Sequence, residues 1–101
     1  MNRSDVVESR PVLAGWRTRA LEVAGAGPVF ILLHGFGDHA GTWAGVLEEL
    51  ATAGHAAVAL DLPGYGEADP AGDGPSLPQL DRFLLAAVER WTVDGQAPVV
   101  V

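Results

Sequence analysis

Two glycines bracket an aromatic residue in His34-Gly35-Phe36-Gly37, directly after the apolar run Val29 to Leu33. Glycine at such a point lets the main chain turn tightly and present its N–H groups to a ligand. Fixed N–H donors stabilise anions. In acyl transfer the carbonyl oxygen becomes negative in the tetrahedral intermediate, and one donor aimed at it is worth about 10²- to 10³-fold in rate. The same stretch, Gly35 to Ala40, also fits Gly-x-Gly-x-x-Gly/Ala, with Asp61 following at about the 20-residue spacing of a dinucleotide-binding turn. Against that rival stand two strand-like segments before the motif and His34 where such turns carry a small or apolar residue. Asp61 moreover opens a Pro-Gly-Tyr-Gly loop rather than facing a ribose.

Other reactive side chains have plainer readings. His39, near the start of an apolar helical pattern, is expected to be solvated or to cap the helix start, and His55 to precede a strand. Asp61 beside Pro63-Gly64 is expected to accept backbone N–H bonds in its turn. Trp43 and Trp91 fall on helical stripes, with Trp43 close enough to the glycine loop to line a pocket there. Asp69 and Asp73 belong to an acidic, Gly- and Pro-rich stretch that reads as solvated surface. No metal-ligand cluster and no cofactor site emerge. The serines, Ser4, Ser9 and Ser76, have no Gly-x-Ser-x-Gly context, and there is no cysteine, so a thiol nucleophile and thiolate metal ligation are both excluded.

The elements that must hold these residues follow from periodicity. Val6-Val7 and the alternation from Trp16 to Val23 predict two N-terminal strands. Pro28 to Leu33 reads as a strand buried on both faces. Trp43, Val46, Leu47 and Leu50 form one helical face, with Thr42 as its N-cap and Gly54 past its end. Ala56 to Leu60 is another buried strand, closed by Asp61-Leu62-Pro63-Gly64-Tyr65-Gly66. Ser76 and Gln79 have capping-box spacing before the stripe Leu80, Phe83, Leu84, Ala87, Val88 and Trp91. Asp94-Gly95 then turns the chain into a last strand of valines.

Strands alternating with amphipathic helices predict an α/β fold with a parallel sheet and right-handed crossovers. If the final valines return beside Val29–Leu33, opposite Ala56–Leu60, the helices lie on opposite faces. A crevice then opens at the carboxyl ends of the strands.

Through VFILLHGFGDHAGTW at Val29 to Trp43 and ALDLPGYGEAD at Ala59 to Asp69, the chain resembles the α/β-hydrolase fold family over nearly its whole length. The resemblance implies that the Phe36 N–H is half of an oxyanion hole whose turn is shaped by His34, Gly35 and Gly37. It also implies that the second donor and the nucleophile come from an elbow after the last strand, with the acid and base later still. None of these has a match here. The whole chain, 1–101, thus reads as a partial domain of about five strands and two helices, with helices on both faces of the sheet. It is expected to be a fragment, inactive alone, of an enzyme that cleaves an ester, amide or similar bond in a small-molecule substrate. Epoxide hydrolase, dehalogenase and haloperoxidase chemistries stay open; an Asp in the elbow would point to epoxide or haloalkane chemistry and a Ser to acyl transfer.

Composition sets the outer bounds. One hundred and one residues suit a single core. Thirteen acidic residues against six basic ones give a net charge of −7, which repels nucleic acid and anionic membranes. No apolar run approaches the roughly 18 residues of a membrane span. Asp5, Glu8 and Arg10 interrupt the place of a secretory signal core, so a cytoplasmic location is expected.

Overall fold

The computed structural model describes residues 6–35, 37–72 and 74–101. Seven strands and two helices follow one another as β1 (Val7–Ser9), β2 (Val12–Leu13), β3 (Trp16–Arg17), β4 (Ala20–Val23), β5 (Ala26–Leu33), α1 (Ala44–Thr52), β6 (His55–Leu60), α2 (Leu77–Arg90) and β7 (Val99–Val100). Five strands make one sheet in the order β1-β4-β6-β5-β7, and β2 and β3 form a separate hairpin. The strands β6, β5 and β7 are parallel, while β4 is antiparallel to both β1 and β6. The predicted parallel sheet therefore carries an antiparallel N-terminal edge.

The stretch Trp16 to Val23 is two strands rather than one. Ala14 and Gly15 both adopt positive φ, 53° and 81°, the backbone of a two-residue hairpin turn, and this pairs Leu13 with Trp16. Thr18 then leaves the ladder. Its N–H goes to the Pro11 carbonyl at 3.0 Å and its hydroxyl to the Asp61 carbonyl at 2.5 Å. Those bonds break the strand before β4 pairs with β6.

The last strand returns beside β5, opposite β6, with Phe30 against Val99 and Ile31 against Val100. The two crossovers thus run in opposite directions and put α1 and α2 on opposite faces. Alternation along the strands divides the core accordingly. Val29 and Ile31 of β5 and Val58 and Leu60 of β6 pack with Phe83 and Ala87 of α2 and with Trp91 just past its end. On the other face, Leu32, Ala57 and Ala59 pack with Leu47 and Ala51 of α1.

Helix starts differ in how far they were legible. Ser76 and Gln79 make the full capping box, with the Gln79 N–H 3.3 Å from Ser76 Oγ and the Ser76 N–H 2.8 Å from Gln79 Oε1. Thr42, by contrast, is not a cap. A 3₁₀ turn, Ala40–Trp43, precedes α1 and is capped by His39, whose Nδ1 accepts the Gly41 N–H at 3.0 Å. The Thr42 hydroxyl instead bonds the Asp38 carboxylate. Val46, expected on the buried stripe, is exposed, because the added 3₁₀ turn rotates the α1 face toward Leu47 and Ala51.

Candidate functional site

The carboxyl ends of β5 and β6 lie side by side, with Leu33 opposite Leu60. From β5 the chain continues into His34, and from β6 into Asp61 and Leu62. Gly35, Gly37, Asp38 and His39 belong to no strand or helix. Their course is set by side-chain and turn contacts. The Asp38 N–H returns to the Gly35 carbonyl at 3.2 Å, and Gly37 sits at a φ of 75°, where a side chain would be strained. Phe36, whose N–H the sequence nominates as a donor, lies outside the described residues.

His34 is nearly buried, at 7% exposure. Its Nε2 accepts the Leu62 N–H at 2.9 Å, and its Nδ1 lies 2.8 Å from the Gly35 carbonyl. A nitrogen that accepts from an amide carries no proton, so the Nδ1 bears the hydrogen and donates it to Gly35. Both ring nitrogens are thus engaged. His34 is therefore a brace for the loop entrance and not a general base. Tyr65 meets the ring edge-on, with centroids 5.4 Å apart.

The loop exit is held by the neighbouring residue. Asp61 is fully buried, and its Oδ1 accepts the Ala40 N–H at 2.7 Å. Its Oδ2 accepts the Glu67 N–H and the Arg19 Nε–H, both at 2.9 Å. Burial pushes this carboxyl up, yet the two backbone N–H bonds and the Arg19 guanidinium outweigh it and hold the group below the ordinary carboxylate value. Asp61 does accept bonds within its own turn, as expected, through Glu67. What the sequence did not signal is its reach across to Ala40, or its pairing with Arg19 on the edge of a short strand. With both oxygens engaged inside the protein, Asp61 cannot serve a ribose. The dinucleotide reading loses its acidic partner.

The remaining candidates separate clearly. His39 caps the 3₁₀ turn. His55 begins β6, at the opposite end of the strand from the loop, with its ring against Phe30. Asp38 is half-buried, and its carboxyl is held low by the Thr42 hydroxyl and then by the His39 N–H. Asp69 is exposed but tied down, because its carboxylate accepts the Arg17 N–H at 3.1 Å and its carbonyl accepts the Trp16 indole N–H at 2.9 Å. Asp73 lies outside the described residues. Among the described residues there is no group of three His, Asp or Glu placed to hold a metal. No helix among them is long and apolar enough to cross a membrane.

A cavity of about 420 Å³ opens at this end of the sheet, lined by His34, Gly35, Leu62, Tyr65, Gly74, Pro75 and Leu80. Its walls are mainly apolar and, among the described residues, carry no Asp, Glu or Arg, the character of a small-molecule site. Trp43 lies elsewhere, packed on the α1 side against the cluster of Leu32 and Leu47. It does not line this cavity.

Comparison with known proteins follows the same segments. The family model for the alpha/beta hydrolase fold matches residues 28–97. The esterase Rv0045c of Mycobacterium tuberculosis is 42% identical over 81 residues, covering 80% of this chain and 26% of the esterase. A pimeloyl-[acyl-carrier protein] methyl ester esterase of Chromobacterium violaceum is 41% identical over 66 residues, 65% of this chain and 23% of its own length. Among solved structures, the epoxide hydrolase VrEH1 from Vigna radiata superposes with a TM-score of 0.82 at 25% identity, covering 92% of this chain and 31% of that enzyme. The chain thus spans about a quarter of the length of these curated relatives.

Proposed function

The chain belongs to the α/β-hydrolase fold family, and we propose that it supplies the oxyanion-donor side of an enzyme that hydrolyses an ester, amide or similar bond in a small-molecule substrate. The observation that carries this reading is the double anchoring of the loop after β5. Leu62 holds its entrance through His34, and Asp61 holds its exit through Ala40. A donor loop fixed before substrate arrives needs no reorganisation as charge develops, which is the condition for electrostatic stabilisation of a tetrahedral intermediate. The Phe36 N–H is the donor in this proposal, with His34, Gly35 and Gly37 shaping the turn around it.

None of the histidines of this chain is assigned as the base, and no residue of it as the nucleophile. His34 and His39 have their acceptor nitrogens committed to Leu62 and Gly41, and His55 stands at the far end of its strand. Serine is the proposed nucleophile, because the relatives of highest identity described above are esterases. An Asp nucleophile is the second reading, favoured by the structural likeness to an epoxide hydrolase. A cytoplasmic location belongs to the same proposal and is supported by the charged residues Asp5, Glu8 and Arg10.

The test compares two proteins, the 101-residue chain and the product of the complete reading frame. Each is assayed with p-nitrophenyl butyrate and with styrene oxide. The longer protein is expected to cleave the ester and the short chain to match a heat-treated control. Epoxide opening alone would shift the assignment to the second reading. Turnover of the ester by the 101-residue chain, or of neither substrate by the longer protein, would overturn the proposal.

A further inference from the structure

Four donors converge on one buried side chain that performs no chemistry itself. Asp61 receives the Ala40 and Glu67 N–H groups, Arg19 Nε at 2.9 Å and Arg19 Nη2 at 3.4 Å. Only a carboxylate, with two oxygens and no proton to direct, accepts from all four. Its place is also fixed sterically. A Cβ on Gly66 would lie 2.4 Å from Asp61 Cγ and 2.5 Å from each oxygen, so the chain behind the carboxylate leaves it no second position.

Of the partners, Ala40 is the one that leads to the site. It is fully buried and is the first residue of the 3₁₀ turn, five residues after Gly35 leaves the end of β5. The intervening chain lacks the ladder bonds of a strand or helix at Gly35, Gly37, Asp38 and His39. Its position rests on the turn from Asp38 back to Gly35 and on its end points. The entrance is pinned by Leu62, and the exit by Asp61.

We infer that Asp61 is a positioning residue, whose carboxylate, through the Ala40 N–H, fixes the exit of the loop entered at His34 and so how that loop meets a developing oxyanion. This rests on the hydrolase reading above. A loop displaced by a fraction of an ångström still binds substrate, but it fits the transition state less well, and such misplacement costs on the order of 10²-fold when it reaches 1 Å. The loss belongs in kcat, not KM.

The test uses the protein from the complete reading frame, with p-nitrophenyl butyrate as substrate and a trifluoromethyl ketone as a mimic of the tetrahedral oxyanion. Asp61→Asn keeps the size of the side chain but turns an N–H₂ toward incoming donors. It is expected to lower kcat about 10- to 100-fold with KM within about 3-fold, and to weaken the ketone in the same proportion. Arg19→Lys, which keeps the charge but loses the fork on both oxygens, is expected to do the same on a scale of several-fold. It also serves if Asp61→Asn fails to fold. Glu22→Ala is the stability control. It removes the acceptor of the Trp91 indole and Ser9 hydroxyl on β4, and should lower the melting temperature while leaving kcat unchanged.

A wild-type kcat in both Asp61→Asn and Arg19→Lys, or a fall in kcat without weaker binding of the ketone, would overturn the inference and leave the hydrolase reading intact. An equal fall in kcat for Glu22→Ala would overturn it too, since loss of stability alone would then explain the effect. A wild-type protein with no ester hydrolysis would overturn both.

Discussion

The backbone N–H of Leu62 donates to His34 Nε2 at 2.9 Å, so the first residues past β6 support the first residue past β5. Together with Asp61 and Ala40, this makes the end of one strand the mount for the loop of its neighbour. The arrangement follows from parallel pairing of β5 and β6 with Leu33 opposite Leu60. Parallel neighbours bring their carboxyl ends, and hence their exit loops, to one edge of the sheet.

Removing the imidazole tests that mount. In His34→Ala the half-buried Leu62 N–H loses its acceptor, and an unsatisfied donor costs about 1–3 kcal/mol. Urea unfolding should show a lower midpoint at an unchanged slope. His55→Ala, at an exposed position with only the Phe30 ring beside it, should cost less than about 1 kcal/mol.

Gly66 has a φ of 53° and no room for a methyl group, because a Cβ there would sit within 2.5 Å of the Asp61 carboxylate oxygens. Gly66→Ala combines a left-handed backbone with a collision against a side chain that four donors hold in place. A loss of roughly 2–4 kcal/mol is expected, read as a fall in thermal midpoint. Gly45→Ala, in α1 with open space around it, should be neutral or stabilising by comparison.

Acid should weaken the fold through Asp61. Its carboxyl in the folded chain is held below the ordinary value of 3.8. The folded state therefore binds fewer protons than the unfolded state in that window. Its contribution is complete above the unfolded value and is lost as pH falls through the lower folded value. Denaturant midpoints measured from about pH 5 down to about pH 2.5 should drop, and Asp61→Asn should make that drop shallower. Asp38, also held low, is only half-buried and gives a smaller contribution screened by solvent.

Much of this architecture is written locally. The β5 and β6 runs, the Ser76–Gln79 capping box and the stripe of Phe83, Ala87 and Trp91 depend on spacing within a few residues, and spacing is what a sequence displays. The opposite placement of α1 and α2 followed from the handedness of crossovers once β7 was set beside β5. Local competition misled at two places. Thr42 has the chemistry of a cap, but Asp38 takes its hydroxyl and His39 caps a 3₁₀ turn instead. The alternation from Trp16 to Val23 suggested one strand, yet Thr18 bonds out of the ladder to Pro11 and Asp61.

The sequence by itself determined the glycine loop after a buried strand, the acidic balance of a chain without cysteine, and the α/β order of elements. Only the tertiary structure decided that Asp61 holds Ala40, that Arg19 and Glu67 complete its shell, and that Trp43 turns to the α1 side. Those contacts join residues separated by 21 and 42 positions. No local pattern encodes them, because whether a carboxylate meets water or four protein donors depends on which chain segments packing brings together.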